Sequence, residues 1–144
     1  MKTTRFILLL IFPCFLLAMT CHKKETDHCH WRLHLTNYSD KSLYTFISYD
    51  YPDTSLNFQR PLFDGFDSEV PPNKKENIRY DQNQCIESNI LDNGYEKLSV
   101  FILDAAMVDT TPWQQVRQNY LVLKRLDYTL DELRERNFEL EYYP

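Results

Sequence analysis

The 144-residue chain holds 16 basic and 21 acidic side chains, a net charge of −5. Such a surface repels phosphate backbones and anionic lipid heads, which excludes nucleic acid as a partner. Its two glycines, Gly65 and Gly94, flank no serine as a sharp nucleophile elbow requires and build no phosphate loop. No His-Glu-x-x-His occurs either.

Lys2 and Arg5 precede an apolar run from Phe6 to Met19 that contains no charged residue, the pattern of a secretory signal. At about 1.5 Å per residue this run reaches roughly 21 Å as a helix, short of a hydrocarbon core about 30 Å thick. The run ends at "LLAMTC", and a cysteine directly behind an apolar segment and small residues resembles the lipobox of bacterial lipoproteins. Ala18, Met19 and Thr20 make a looser box than the Leu-small-Gly/Ala pattern, of the kind found among Bacteroides-type lipoproteins. The resemblance implies cleavage before Cys21, diacylation of its thiol and loss of Cys14 with the signal. Residues 1–20 are then a lipoprotein signal peptide, 21–30 a polar tether and 31–144 a globular domain. Two or three acyl chains give the stable membrane anchoring that one chain cannot.

Without Lys2 and Arg5, 14 basic side chains face 21 acidic ones over the 124 residues from Cys21 to Pro144. That length suits one domain with its own core. Export would place Cys29 and Cys85 where disulfides persist, and a bond between them would close a loop of 57 residues. The alternatives are two separate buried thiols, or a Cys29 that lies in a flexible tether. His22, His28, His30 and His34 gather around Cys29, but no second pair with ligand spacing exists, so neither a metal nor a cofactor is expected.

From Trp31 the chain alternates, with Trp31, Leu33 and Leu35 on a buried face and Arg32 and His34 opposite, which predicts a strand. "TNYSDKS" supplies turn residues and "LYTFISYDY" a second strand, so 31–51 is expected to form an antiparallel hairpin. The stretch from Pro52 holds four prolines and predicts irregular structure with an edge strand near Phe58, its Phe58, Phe63 and Phe66 tucked on the core. "NIRY" predicts a strand, and Asn93-Gly94 a tight turn. "LSVFILD" is the most apolar run and predicts the central strand. Thr111, Pro112 and Gln114 predict a helix start, with Trp113, Val116 and Tyr120 on its inner face. "YLVLKRLDY" reads as a strand, with helical continuation as the alternative. Thr129 and Glu132 form a capping box for a second short helix that Asn137 terminates, and "FELEYY" predicts a closing strand. The expected fold is mainly β with two short helices, an antiparallel, sandwich-like α+β domain.

The segment from Val100 to Pro144 resembles the carboxy-terminal half of small uncharacterised lipoproteins of Bacteroides-type bacteria. There an apolar strand ending in Asp leads to a Pro-Trp helix start, a "VLKR-D-T" strand, a Leu-rich helix and a terminal aromatic strand. The matching residues are Asp104, Pro112, Trp113, Lys124, Arg125, Asp127, Thr129, Leu130, Leu133 and Pro144. The resemblance implies an envelope location, at the outer membrane, and a shared fold, and it brings no established activity.

The expected role is therefore structural or binding at the cell envelope, and not catalytic. A first alternative is a glycan- or peptide-binding accessory lipoprotein, with Tyr49 and Tyr51 beside Asp50 as ligand contacts. A second is a small envelope hydrolase built on a carboxylate pair.

Overall fold

The computed structural model describes residues 29–52, 55–56, 69–79 and 84–144. The expected signal peptide, Cys21, tether residues 21–28 and Phe58, Phe63 and Phe66 lie outside the described residues. The chain runs β1 (Arg32–Asn37), β2 (Leu43–Ser48), β3 (Glu69–Val70), β4 (Lys75–Arg79), α1 (Ile86–Asn93), β5 (Leu98–Asp104), α2 (Ala105–Thr110), α3 (Trp113–Gln118), β6 (Lys124–Tyr128), α4 (Leu130–Glu135) and β7 (Glu139–Tyr142). Two sheets form, ordered β4-β1-β7 and β3-β2-β5-β6. The result is a sandwich-like α+β domain, antiparallel except that β1 and β7 run parallel.

β5 explains the layering. Leu98, Val100 and Ile102 face a core shared with Leu33 and Leu35 of β1, Leu140 of β7, Ile86 and Ile90 of α1, and Leu130 and Leu133 of α4. Phe101 and Leu103 point the other way, into a second core with Leu56, Val108 of α2 and Val116 of α3. A strand covered on both faces reads as an unbroken apolar run rather than an alternating one. β5 is central as expected, between β2 and β6.

β1 and β2 are not a hairpin. They alternate as expected but belong to different sheets, and the chain crosses between them at a corner built on Asn37. The Asn37 amide is fully buried and donates to the carbonyls of Lys41 (2.7 Å), Val70 (3.0 Å) and Pro71 (3.1 Å). Its carbonyl oxygen accepts from the backbone and hydroxyl of Ser39 at 2.9 and 2.7 Å. Every polar atom is satisfied, so a buried amide can stand where a strand continuation would be apolar.

Four helices are present among the described residues, against the two expected. α1 ends on Gly94, whose left-handed φ of 67° closes it, so Asn93-Gly94 terminates a helix rather than joining two strands. α2 is capped by Asp104, whose carboxylate accepts from Met107 N at 3.3 Å. Thr111 does not cap α3: it is the C-terminal cap of α2, its N–H donating to Met107 O, and Pro112 takes the N-cap position with no side-chain cap bond. Tyr120 has left-handed φ (48°), ends up exposed and leaves the stripe that Trp113 and Val116 begin. The Thr129 and Glu132 capping box is formed in both directions, and Asn137 takes positive φ beyond α4.

Candidate functional site

The start of β1 is fastened to α1 by four links. Cys29 is disulfide-bonded to Cys85, with Cα atoms 5.5 Å apart. Ile86 N donates to His30 O at 2.9 Å. The Glu87 carboxylate accepts from His30 N at 2.8 Å and meets His30 Nδ1 at 2.5 Å. Glu87 is 6% exposed, and a buried carboxylate is tolerated here because both oxygens are bonded and it sits in the first turn of a helix. So Cys29 and His30, at the end of the expected tether, are docked on the domain.

His30 stacks on Phe138 with ring centroids 3.9 Å apart. Phe138 and Asn137 both have left-handed φ, 57° and 52°, a conformation costing an L side chain such as Phe roughly 1–2 kcal/mol. Full burial of the Phe138 ring and its N–H bond to Leu133 O (2.8 Å) offset that cost. The pair of turns swings the chain from α4 into β7 and presents Asn137 and Phe138 to the start of β1. Strain of this kind concentrates at binding sites.

Between these segments lies an open cleft of about 360 Å³, its lining including Trp31, Arg32, His34, Asn137 and Glu139. Trp31 precedes β1 instead of sharing its buried face, and 49% of it is exposed. The Arg32 side chain makes no ion pair or hydrogen bond among the described residues, and its cross-strand neighbour is Arg79. Glu139 is not free: Lys75 Nζ lies 2.6 Å from its Oε1, and that hydrogen bond holds its carboxyl below the usual glutamate pKa. The cleft thus pairs a flat apolar ring with a cation and an imidazole, and its own carboxylate is neutralised.

The cleft opens at one end of the outer face of the three-stranded sheet. Register places His34 between Asn77 and Glu139, and Thr36 between Lys75 and Glu141. At the far end Tyr38 and Tyr143 stack at 4.6 Å, 46% and 53% exposed. The Tyr38 hydroxyl makes a long contact to Glu141 (3.4 Å). The Tyr143 phenol is held above its usual pKa, first by desolvation and then by Glu141, so it stays a hydroxyl.

Tyr49 and Tyr51 lie elsewhere, at the end of β2. Tyr49 stacks on Tyr95 at 4.9 Å and packs on the core. Tyr51 lies beneath Lys97 and Arg125, 4.9 and 5.6 Å from its ring centre, and is half-buried. Their ring faces are thus engaged by neighbouring side chains, whereas Trp31 is half-exposed and Tyr38 and Tyr143, stacked on each other, are exposed as a pair. Alternation from Trp31 into Leu33 and Leu35 hides it, and only the structure shows the strand starting one residue later. Cys29, Cys85 and Glu87 bring potential metal ligands within 4.8 Å of one another, but the two sulfurs are bonded together and the carboxylate is taken by His30. No helix among the described residues is long and apolar enough to cross a membrane. Compared with family models, characterised proteins and solved structures, the chain matches none.

Proposed function

We propose that this chain is a small Bacteroides-type envelope lipoprotein, anchored to the outer membrane through Cys21, whose domain binds an acidic glycan without transforming it. The charge-free run from Phe6 to Met19 and the cysteine behind it support the anchor. The Cys29–Cys85 bond supports an oxidising compartment. The observation that carries the binding role is the half-exposed Trp31 in the cleft beside Arg32, whose side chain has no partner among the described residues. A pyranose lays an apolar face on an aromatic ring, and a sugar carboxylate pairs with a guanidinium. Binding is favoured over hydrolysis because the carboxylates nearest the cleft are occupied, Glu139 by Lys75 and Glu87 by His30.

Methyl glucuronide titrated against the domain, followed by tryptophan fluorescence and calorimetry, tests the binding role. Binding should be saturable, lost in Trp31→Ala, and about tenfold or more weaker both in Arg32→Ala and for methyl glucoside, as one charge-assisted pair would give. Equal affinity for the neutral sugar refutes the role given to Arg32. The anchor is tested separately, by mass spectrometry of Cys21 in membrane-extracted protein and by fractionating Cys21→Ser.

A further inference from the structure

The cleft does not end the row of outward groups that begins in it. Along β1 the outer face continues from Arg32 through His34 and Thr36 to the Tyr38 and Tyr143 stack, roughly 20 Å at about 3.3 Å per residue. The side chains between are an imidazole, a hydroxyl, an amide from Asn77 and the Lys75–Glu139 ion pair, with no apolar pocket among them. A peptide laid across a sheet face needs pockets for its side chains, and the free edges of β4 and β7 flank this strip rather than run along it. A sugar chain needs hydrogen-bonding groups along its length and flat rings to stack on, which is what this strip has. Its charge is also graded. The Trp31 end carries the Arg32 guanidinium, whereas the tyrosine end carries the Glu141 carboxylate beside both rings.

We infer that the outer face of the β4-β1-β7 sheet is an extended, polar-ended track for a linear heteroglycan. An acidic sugar sits in the Trp31 cleft and neutral sugars run along β1 to stack on Tyr38 and Tyr143. The inference rests on the binding role proposed for the cleft and adds length and direction to it. The acidic sugar is attracted at one end and repelled by Glu141 at the other, so the chain lies one way only.

Three probes separate the two ideas: methyl glucuronide, a linear oligosaccharide of neutral hexoses with one terminal hexuronate, and an oligohexuronate of the same length. The mixed oligosaccharide should bind about tenfold tighter than methyl glucuronide, from two more stacked rings, and tighter than the oligohexuronate. Tyr38→Ala with Tyr143→Ala should bring the mixed chain down to the affinity of methyl glucuronide and leave methyl glucuronide unchanged. The corresponding Phe pair, which keeps both rings, should restore the gain. Affinity independent of chain length, or an oligohexuronate that binds tighter than the mixed chain, overturns the track while the cleft survives. Tighter binding of a linear peptide with a free carboxylate end overturns the ligand class. Failure of methyl glucuronide itself to bind removes the cleft and the track together.

Discussion

Reducing the Cys29–Cys85 disulfide perturbs the domain with no change of sequence, and the size of the effect follows from chain length. The bond spans 56 positions, and closing a loop of that size removes about 4 kcal/mol of unfolded-state entropy at 25 °C in the chain-entropy model. In the folded state, Ile86 N and the Glu87 carboxylate still hold His30 after reduction, so native contacts change little. The loss therefore comes from a freer unfolded chain. Urea titrations with and without a phosphine reductant, read by circular dichroism, should differ by about 4 kcal/mol. With an m-value of about 2 kcal/mol/M the midpoint should fall by about 2 M, and m itself should rise as the unfolded chain expands. Against a total stability of about 5–15 kcal/mol this is a large share. A loss below about 1 kcal/mol would refute the loop-closure reasoning and leave the bond a decoration on a segment already held by hydrogen bonds.

Two further outcomes concern the fold. Asn37→Ala strands two or more buried backbone groups at the corner between the sheets, and should cost about 2–4 kcal/mol in urea unfolding, far more than a surface amide. Asp104 is held below the usual aspartate pKa, first by its hydrogen bond from Lys41 and then by Met107 N. A depressed folded pKa gives stability that is present above the unfolded pKa and lost as pH falls through the folded one. Wild-type stability should therefore decline below about pH 4, and Asp104→Asn should be less stable at pH 7 yet show a shallower acid slope. Some slope will persist, because Glu132 and Glu139 are shifted in the same direction.

Local patterns carried most strands, because alternation and apolar runs report burial directly: β5 with both faces apolar, β7 with Leu140 and Tyr142 inward. The capping box at Thr129 was equally legible, since both of its partners lie within four residues. Pairing partners were not. Alternation in β1 and β2 says which face is buried but not which sheet covers it, and the deciding residue, Asn37, is polar and looks like a turn former. α1 escaped for a different reason. Only Ile86 and Ile90 mark its inner face, one turn apart, and its first turn carries Glu87, whose burial depends on His30 some 57 positions away. In the candidate site, Arg32 and His34 were read on the outward face of β1. Tyr38 and Tyr143 meet only because β1 and β7 are parallel neighbours, a fact of topology that no short stretch encodes.

The same carboxylate links stability to the cleft. Glu87 holds His30 by backbone and ring, the His30 ring lies on Phe138, and both rings line the space beside Trp31. Glu87→Ala removes two charge-assisted hydrogen bonds, but it also removes the desolvation cost of a buried carboxylate. The net loss of stability should therefore be about 2 kcal/mol, smaller than the two bonds together. The disulfide and the Ile86 bond keep the segment attached, so the fold survives with the imidazole free to turn. A cleft wall that must be ordered by ligand binds more weakly, by about 0.5–1.5 kcal/mol per immobilised side chain, or roughly 2- to 13-fold for methyl glucuronide. Glu87→Gln, which keeps one acceptor for His30 N, should fall between wild type and Glu87→Ala in both stability and affinity. If Glu87→Ala matches wild type in urea unfolding and in glucuronide affinity, His30 is held by the disulfide and the Ile86 bond, and the carboxylate clamp has no part in shaping the cleft.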